Sequence, residues 1–309
     1  MAGIFDGVMP ERESGIRPSP SARRATQILA FLARRPHHAF TVSEIARALA
    51  LNRATCHSVL MALEESRYVR RDDRTKGYSL GSALIAVGEA ARSSMKVVDE
   101  ARPEVERLAA TMGVECVAAV AAGDEMVIVA NAGPPDRFGG VIRVGYTYPL
   151  CPPFATAFVA WADDATIDAW LSRAGPLADD QRKHYLAALD AVRRRGYSVT
   201  LEIKDPIRFG EAFAALRSER ATGSSLEEHH RVNQLLQQEY MLPEADALGP
   251  HRIEQVTVPV FDNDGSVALV IGLTGFAHDL ALDEANTYIA PLLAASHRIS
   301  ARLGGTPGI

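Results

Sequence analysis

One stretch limits what this chain can fold into more than any other: TVSEIARALALNRATCHSVLMALEESRYV, residues 41–69. Thr41 and Glu44 have the spacing of a capping box, in which each side chain satisfies an orphan backbone donor of the other residue. Ile45, Ala46 and Leu49 follow as the apolar stripe of a short helix. Leu51 and Asn52 make a turn, and Asn52 is suited to cap the next helix, whose core side is Val59, Leu60 and Leu63. Two short helices joined by a tight turn form a helix-turn-helix unit, which presents the N-terminal residues of its second helix outward. A helix beginning near Ser21, with Ala25, Ile28, Leu29 and Leu32 on one face and Pro36 at its end, precedes the unit. Tyr68-Val69 and Tyr78-Ser79-Leu80 read as strands around the turn RRDDRTKG, a basic-tipped wing. The expectation is a winged helix-turn-helix over residues 21–82, behind a mobile arm over 1–20 that is rich in Pro and Gly.

Charge matters to the argument through its distribution. Residues 1–80 hold 13 Arg or Lys and 8 Asp or Glu, whereas the whole chain is at −5. The head is therefore basic and the remainder acidic, an asymmetry that suits a nucleic-acid module joined to something else. On that reading Arg23, Arg24, Arg53, Arg70, Arg71, Arg74 and Lys76 supply phosphate contacts to a double-stranded DNA operator. Thr55, His57 and Ser58 read base edges, and Asn52 stands at the helix start beside them. The alternative is a winged helix that mediates protein contacts only, attached to an enzyme or a ligand-binding module.

Downstream, strand-like runs occur at Val114–Ala121, Met126–Asn131, Val141–Val144, Tyr197–Ile203, Ile253–Phe261 and Val267–Phe276. Asp124 and Asn263-Asp264-Gly265 are turn signals between neighbours. Amphipathic helices are expected at Val98–Met112, Asp163–Arg173, Gln181–Arg195 and Asp283–Arg302. The fold class is therefore α+β, with an antiparallel sheet and helices on its faces.

These pieces together resemble the IclR family of bacterial transcription regulators. The helix-turn-helix and a wing ending in Gly77-Tyr78-Ser79-Leu80-Gly81 resemble that family's first domain, and Leu84–Met95 its linker helix. Tyr148-Pro149-Leu150 with the helix from Phe154 to Trp161, Arg194-Arg195-Gly196-Tyr197-Ser198, and Val258-Pro259-Val260-Phe261-Asp262 with Gly265 and Gly272–Gly275 resemble elements of its second. The resemblance implies a linker helix over 83–97 and a GAF-like effector-binding domain over 98–309. It also implies a homodimer or homotetramer, and a small-molecule effector held by Tyr148, Leu150, Cys151, Ala155, Gln255, Gly272 and Thr274. The sequence departs from the family's pattern there: Cys151 stands for its His, Gln255 for a Cys, and Gly272 and Thr274 for two serines. A more apolar pocket is expected, one that fits an aromatic or larger, weakly polar effector better than a small diacid. Between Lys204 and Arg252 the chain carries roughly 40 residues more than the family's usual spacing. In this insert, about 205–250, Ser225 and Glu228 have capping-box spacing ahead of a helix at Leu226–Tyr240.

Enzymatic signals are weak. Glu227-Glu228-His229-His230 points its side chains about 100° apart on a helix, whereas metal-binding helices space their ligands at i and i+4. Cys151 beside Pro152-Pro153 has no evident His partner, and no Walker A loop, GxGxxG or GxSxG element occurs. The reading is thus of a non-enzyme with no catalytic residue, metal or cofactor. No apolar run reaches the roughly 18 residues of a membrane helix, so no membrane partner is expected and a cytoplasmic location is.

Overall fold

The computed structural model describes residues 19–33, 35–134, 142–201, 253–276 and 282–306. The insert at 205–250, its Glu227–His230 cluster and all of the arm but its last two residues lie outside these. The chain forms two compact units, the first holding the described residues up to Ser94 and the second those from Met95 onward.

The first unit starts with α1 (Pro20–Ala33). Pro20, expected in the arm, is instead the first residue of this helix, where a missing N–H costs nothing. Next come α2 (Val42–Ala48), α3 (Arg53–Glu65), and the antiparallel strands β1 (Val69–Arg71) and β2 (Tyr78–Leu80). The capping box forms as expected: Thr41 N–H donates to Glu44 Oε2 at 2.7 Å, and Glu44 N–H to Thr41 Oγ1 at 3.3 Å. Asn52 caps α3 by accepting from Ala54 N–H at 2.8 Å. Ile28, Leu32, Ile45, Cys56, Leu60 and Tyr78 make the core. Gly81 closes the wing onto the turn that follows α3, since a Cβ there would lie 2.1 Å from the Arg67 carbonyl oxygen. The expected linker helix is shorter, α4 (Ala83–Ser93), and it buries none of its residues.

The second unit opens with α5 (Lys96–Met112), ended by left-handed Gly113. The strands are β3 (Glu115–Ala122), β4 (Glu125–Ala132), β5 (Thr147–Pro149), β6 (Ser198–Leu201), β7 (Ile253–Phe261) and β8 (Val267–Thr274). The helices are α6 (Thr156–Val159), α7 (Asp164–Ser172), α8 (Asp179–Arg195) and α9 (Leu282–Leu303). The sheet is antiparallel throughout, in the order β5-β4-β3-β8-β7-β6. Two expectations are corrected. Residues 142–144 form no strand; the chain turns at Gly145 (φ 84°), and the edge strand that pairs with β4 is β5. The helix expected from Phe154 to Trp161 shrinks to Thr156–Val159, because Ala155 is left-handed (φ 65°) and cannot continue a helix.

Strand alternation divides the sheet's side chains between two faces. Cys116, Ala118, Val256, Val258, Ile271 and Leu273 share one face and join a core with Val105 and Leu108 of α5 and Leu292 and Ile299 of α9. The two helices are tied together by Glu104, which is buried. Arg298 of α9 grips its carboxylate with two hydrogen bonds of 2.9 Å, and Arg107 adds a third at 2.9 Å. The hydrogen bonds from Arg298 come first in holding Glu104 down at about 2, against a desolvation that opposes them.

Glu104→Gln should therefore destabilise the second unit by about 3 kcal/mol, the low end for a broken buried pair, because both arginines are half exposed. The carboxylate is depressed on folding, so its contribution is complete above its ordinary value of 4.5 and fades as pH falls from there through about 2. Urea titrations at pH 7, 4 and 3 should show the gap between wild type and variant narrowing as the pH drops.

Candidate functional site

Two surfaces hold the residues that the sequence singles out. The first is α3 with the wing. The helix advances about 100° per residue, so Cys56, Leu60 and Leu63 share the inward direction. Ala54, Ser58, Met61 and Glu65 point the opposite way and are exposed. Arg53 and His57 are exposed on one flank, and Thr55 lies half-buried on the other. The expected trio is thus split: Ser58 faces outward, whereas His57 and Thr55 stand on opposite sides. Ser58 Oγ also donates to the Ala54 carbonyl at 3.1 Å, so part of its hydrogen-bonding capacity is used on its own helix.

The wing's turn is built by one carboxylate. Asp72 accepts from the N–H groups of Arg74 (3.0 Å) and Thr75 (2.7 Å) and from the Thr75 hydroxyl (2.9 Å). These bonds, the Thr75 backbone first, hold Asp72 below its ordinary value. Its acid is spent inside the turn, and Arg74 and Lys76 stand exposed beside it. Arg70 donates across the hairpin to Ser79 Oγ at 3.0 Å, and the Arg71 guanidinium lies 5.9 Å from the centre of the Tyr78 ring. At α1, Arg23 is exposed and Arg24 half-buried.

The second surface is the sheet face turned away from α5 and α9. Gln255, Thr274 and Glu115 are directly paired across β7, β8 and β3, and directly paired residues point to the same side. The next row on that side is Ser198, Thr257, Gly272, Val117 and Asn131. Gln255, Gly272 and Thr274 are therefore brought together. Gly272 leaves the space their neighbours use: a Cβ there would meet Thr257 Oγ1 at 3.0 Å and Gln255 Nε2 at 3.1 Å. Thr274 Oγ1 donates to the Glu254 carbonyl at 3.0 Å, and Asn131 Nδ2 donates to Glu115 Oε1 at 2.5 Å. This wall is more polar than the sequence reading of an apolar lining, which overlooked Glu115, Thr257 and Asn131. The signal for Thr257 was there, in the alternation Gln255-Val256-Thr257-Val258.

Tyr148 sits on β5 at the opposite sheet edge, paired with Met126. Leu150 N–H donates to the Asp124 carbonyl at 2.8 Å, and its own carbonyl accepts from Arg173 at 3.1 Å. Cys151 is buried and interacts with Tyr185, whose hydroxyl is pushed up to about 12, chiefly by burial. Ala155 leads into α6, which packs on β7 and β8. Its carbonyl accepts from the N–H groups of Phe158 and Val159. Among the described residues, no group of three or more His, Cys, Asp or Glu could hold a metal ion.

Residues 21–73 match the family model described as the IclR helix-turn-helix domain, and 89–204 match the bacterial transcriptional regulator IclR C-terminal model. The chain is 25% identical over 172 residues to a glycerol operon regulatory protein of Streptomyces griseus, a match covering 52% of this chain and 65% of that protein. It resembles the crystal structure of an IclR transcriptional regulator from Alicyclobacillus acidocaldarius (TM-score 0.66, 24% identity, 94% of this chain and 100% of that one). It also resembles an IclR homologue from Microbacterium hydrocarbonoxydans complexed with 4-hydroxybenzoate (TM-score 0.63, 16% identity, 92% and 98%). The structural likenesses bear on the fold alone.

Filling the space over Gly272 tests the wall directly. Gly272→Val should cost about 1–3 kcal/mol by overpacking against Thr257 and Gln255, read as a lowered thermal midpoint. Pairing it with Gln255→Ala, which empties part of that space, should recover some of the loss.

Proposed function

The chain belongs to the IclR family of bacterial transcriptional regulators, and from that premise we propose that it is a ligand-responsive, DNA-binding transcription regulator and not an enzyme. The observation that carries the reading is the first unit's surface. A capped helix and a wing leave Arg53, His57, Ser58, Arg71, Arg74 and Lys76 exposed on a segment of net positive charge. In this reading α3 enters the major groove of an operator. Arg23, Arg24, Arg53, Arg70, Arg71, Arg74 and Lys76 contact phosphates, and Thr55, His57 and Ser58 reach base edges from the flanks and the outward face. Asn52 contributes by fixing where α3 begins.

The second unit, GAF-like in this reading, binds a small organic effector on the wall of Gln255, Gly272 and Thr274. Tyr148, Leu150, Cys151 and Ala155 belong to the surrounding loop and helix. Proteins similar to this chain include a glycerol operon regulatory protein and an IclR homologue complexed with 4-hydroxybenzoate, and these set where a search for the effector begins. An aromatic effector stays our choice on the apolar side chains of Tyr148, Leu150 and Cys151, with Gln255 and Thr274 of the more polar wall orienting it. Residues 83–97 couple the units. α4 buries nothing, and Ile85 and Val87 are 75% and 50% exposed. A second copy that covered them would make the homodimer that a two-fold operator needs, and two such dimers a homotetramer. A cytoplasmic location with no membrane partner belongs to the same proposal; among the described residues no helix is long and apolar enough to cross a membrane.

Duplex binding by the full chain, followed against salt, tests the reading. Arg71→Ala combined with Arg74→Ala should weaken binding to all sequences alike and flatten the log–log salt slope by about 2. A chain that binds no duplex would leave the winged helix as a protein-docking unit. For the effector, a thermal-shift screen should include aromatic acids, polyols and small diacids. A ligand at about 100 times its dissociation constant adds about 2.7 kcal/mol. A shift from diacids alone would overturn the aromatic assignment.

A further inference from the structure

The outward face of α3 carries one long apolar side chain that the phosphate and base-edge contacts above do not use. Ala54 and Ser58 are small, and Glu65 lies at the last residue of the helix. Between them stands Met61, 49% exposed, in the direction opposite to Cys56, Leu60 and Leu63. Met61 sits outside the core, on the same stripe as Ser58. It follows Ser58 by three residues and His57 by four, the spacings of neighbours on a helix surface.

The rise of about 1.5 Å per residue puts Met61 only about 4.5 Å beyond Ser58 along the axis, on the same outward face. The major groove is wide enough to admit a helix. A helix that brings Ser58 to the base edges therefore brings Met61 beside them. A thioether has no hydrogen-bond donor and is only a weak acceptor, so it cannot read the donor and acceptor pattern of the groove. The groove floor does offer one apolar group, the C5-methyl of thymine. A flexible, polarizable side chain suits that contact.

We infer that Met61 is a specificity residue that selects thymine through its C5-methyl group in the major groove. The inference rests on the DNA-binding reading above and adds to it a base preference at one position in each half-site. Arg53 and the wing hold the helix in register, and Met61 covers the methyl group and excludes water from it. A cytosine there presents no methyl group, and a purine presents polar edges to an apolar tip.

The test uses the full chain and a duplex selected by it from a random-sequence pool. Each thymine of the selected site is replaced in turn by deoxyuridine, which keeps every hydrogen-bonding group and lacks only the methyl. Wild type should bind the duplex altered at one position about fourfold more weakly per methyl removed, the worth of one buried carbon. Met61→Ala and Met61→Gln should bind the unaltered duplex more weakly by a similar factor and lose nothing further at that position. Both replacements are good helix formers at an exposed site, and an unfolding midpoint close to that of wild type shows that the first unit is intact. A deoxyuridine penalty that persists undiminished in both variants, or a wild type indifferent to every replacement, overturns the role of Met61 while leaving DNA binding in place. A wild type that enriches no sequence overturns the DNA-binding reading itself, and the inference with it.

Discussion

The two long helices of the second unit meet at one buried carboxylate. Glu104 lies between α5 and α9, and three arginine N–H groups hold it there. A charge removed from water must be matched by charge-assisted hydrogen bonds or it destabilises the fold. The match fixes how two long helices sit side by side, and so how they cover one face of a six-stranded sheet. Val256, Val258, Ile271 and Leu273 can then be uniformly apolar, because that face never meets solvent. The opposite face is released from the core's demand for hydrocarbon. It carries the row Gln255, Thr274 and Glu115 and the row Thr257, Gly272 and Asn131. Chemistry on one side of the sheet depends on packing on the other.

The first unit was largely legible in the sequence because its determinants are local. The Thr41–Glu44 box and the Asn52 cap are contacts between residues two or three apart, and spacing alone reveals them. The long strands β7 and β8 were legible through alternation and length. What escaped was non-local. Nothing in Val141–Val144 says that β4 pairs with Thr147–Pro149 instead, since β-branched residues favour extended backbone without naming a partner. Ala155 gave no sign of its left-handed conformation, which cuts the following helix short, because alanine ordinarily favours helix.

The candidate sites divide in the same way. Exposure of Arg53, His57, Ser58, Arg74 and Lys76 followed from helix and turn periodicity. The split of His57 from Thr55 also follows from 100° per residue, and locating the buried side at Cys56 makes it visible. On the sheet, Gln255, Gly272 and Thr274 come together only because β7 pairs with β8 in one particular register. Glu115 and Asn131 join the wall through β3 and β4, more than a hundred residues earlier in the chain. Such neighbours have no signature in local spacing.

α4 carries a consequence of a different kind. It has 11 residues and buries none of them, whereas an isolated helix shorter than about 12–15 residues is marginal in water. Its order must be borrowed from whatever it meets. If a second copy supplies that contact, as proposed, the order of α4 depends on chain concentration in the way any binding-linked stability does.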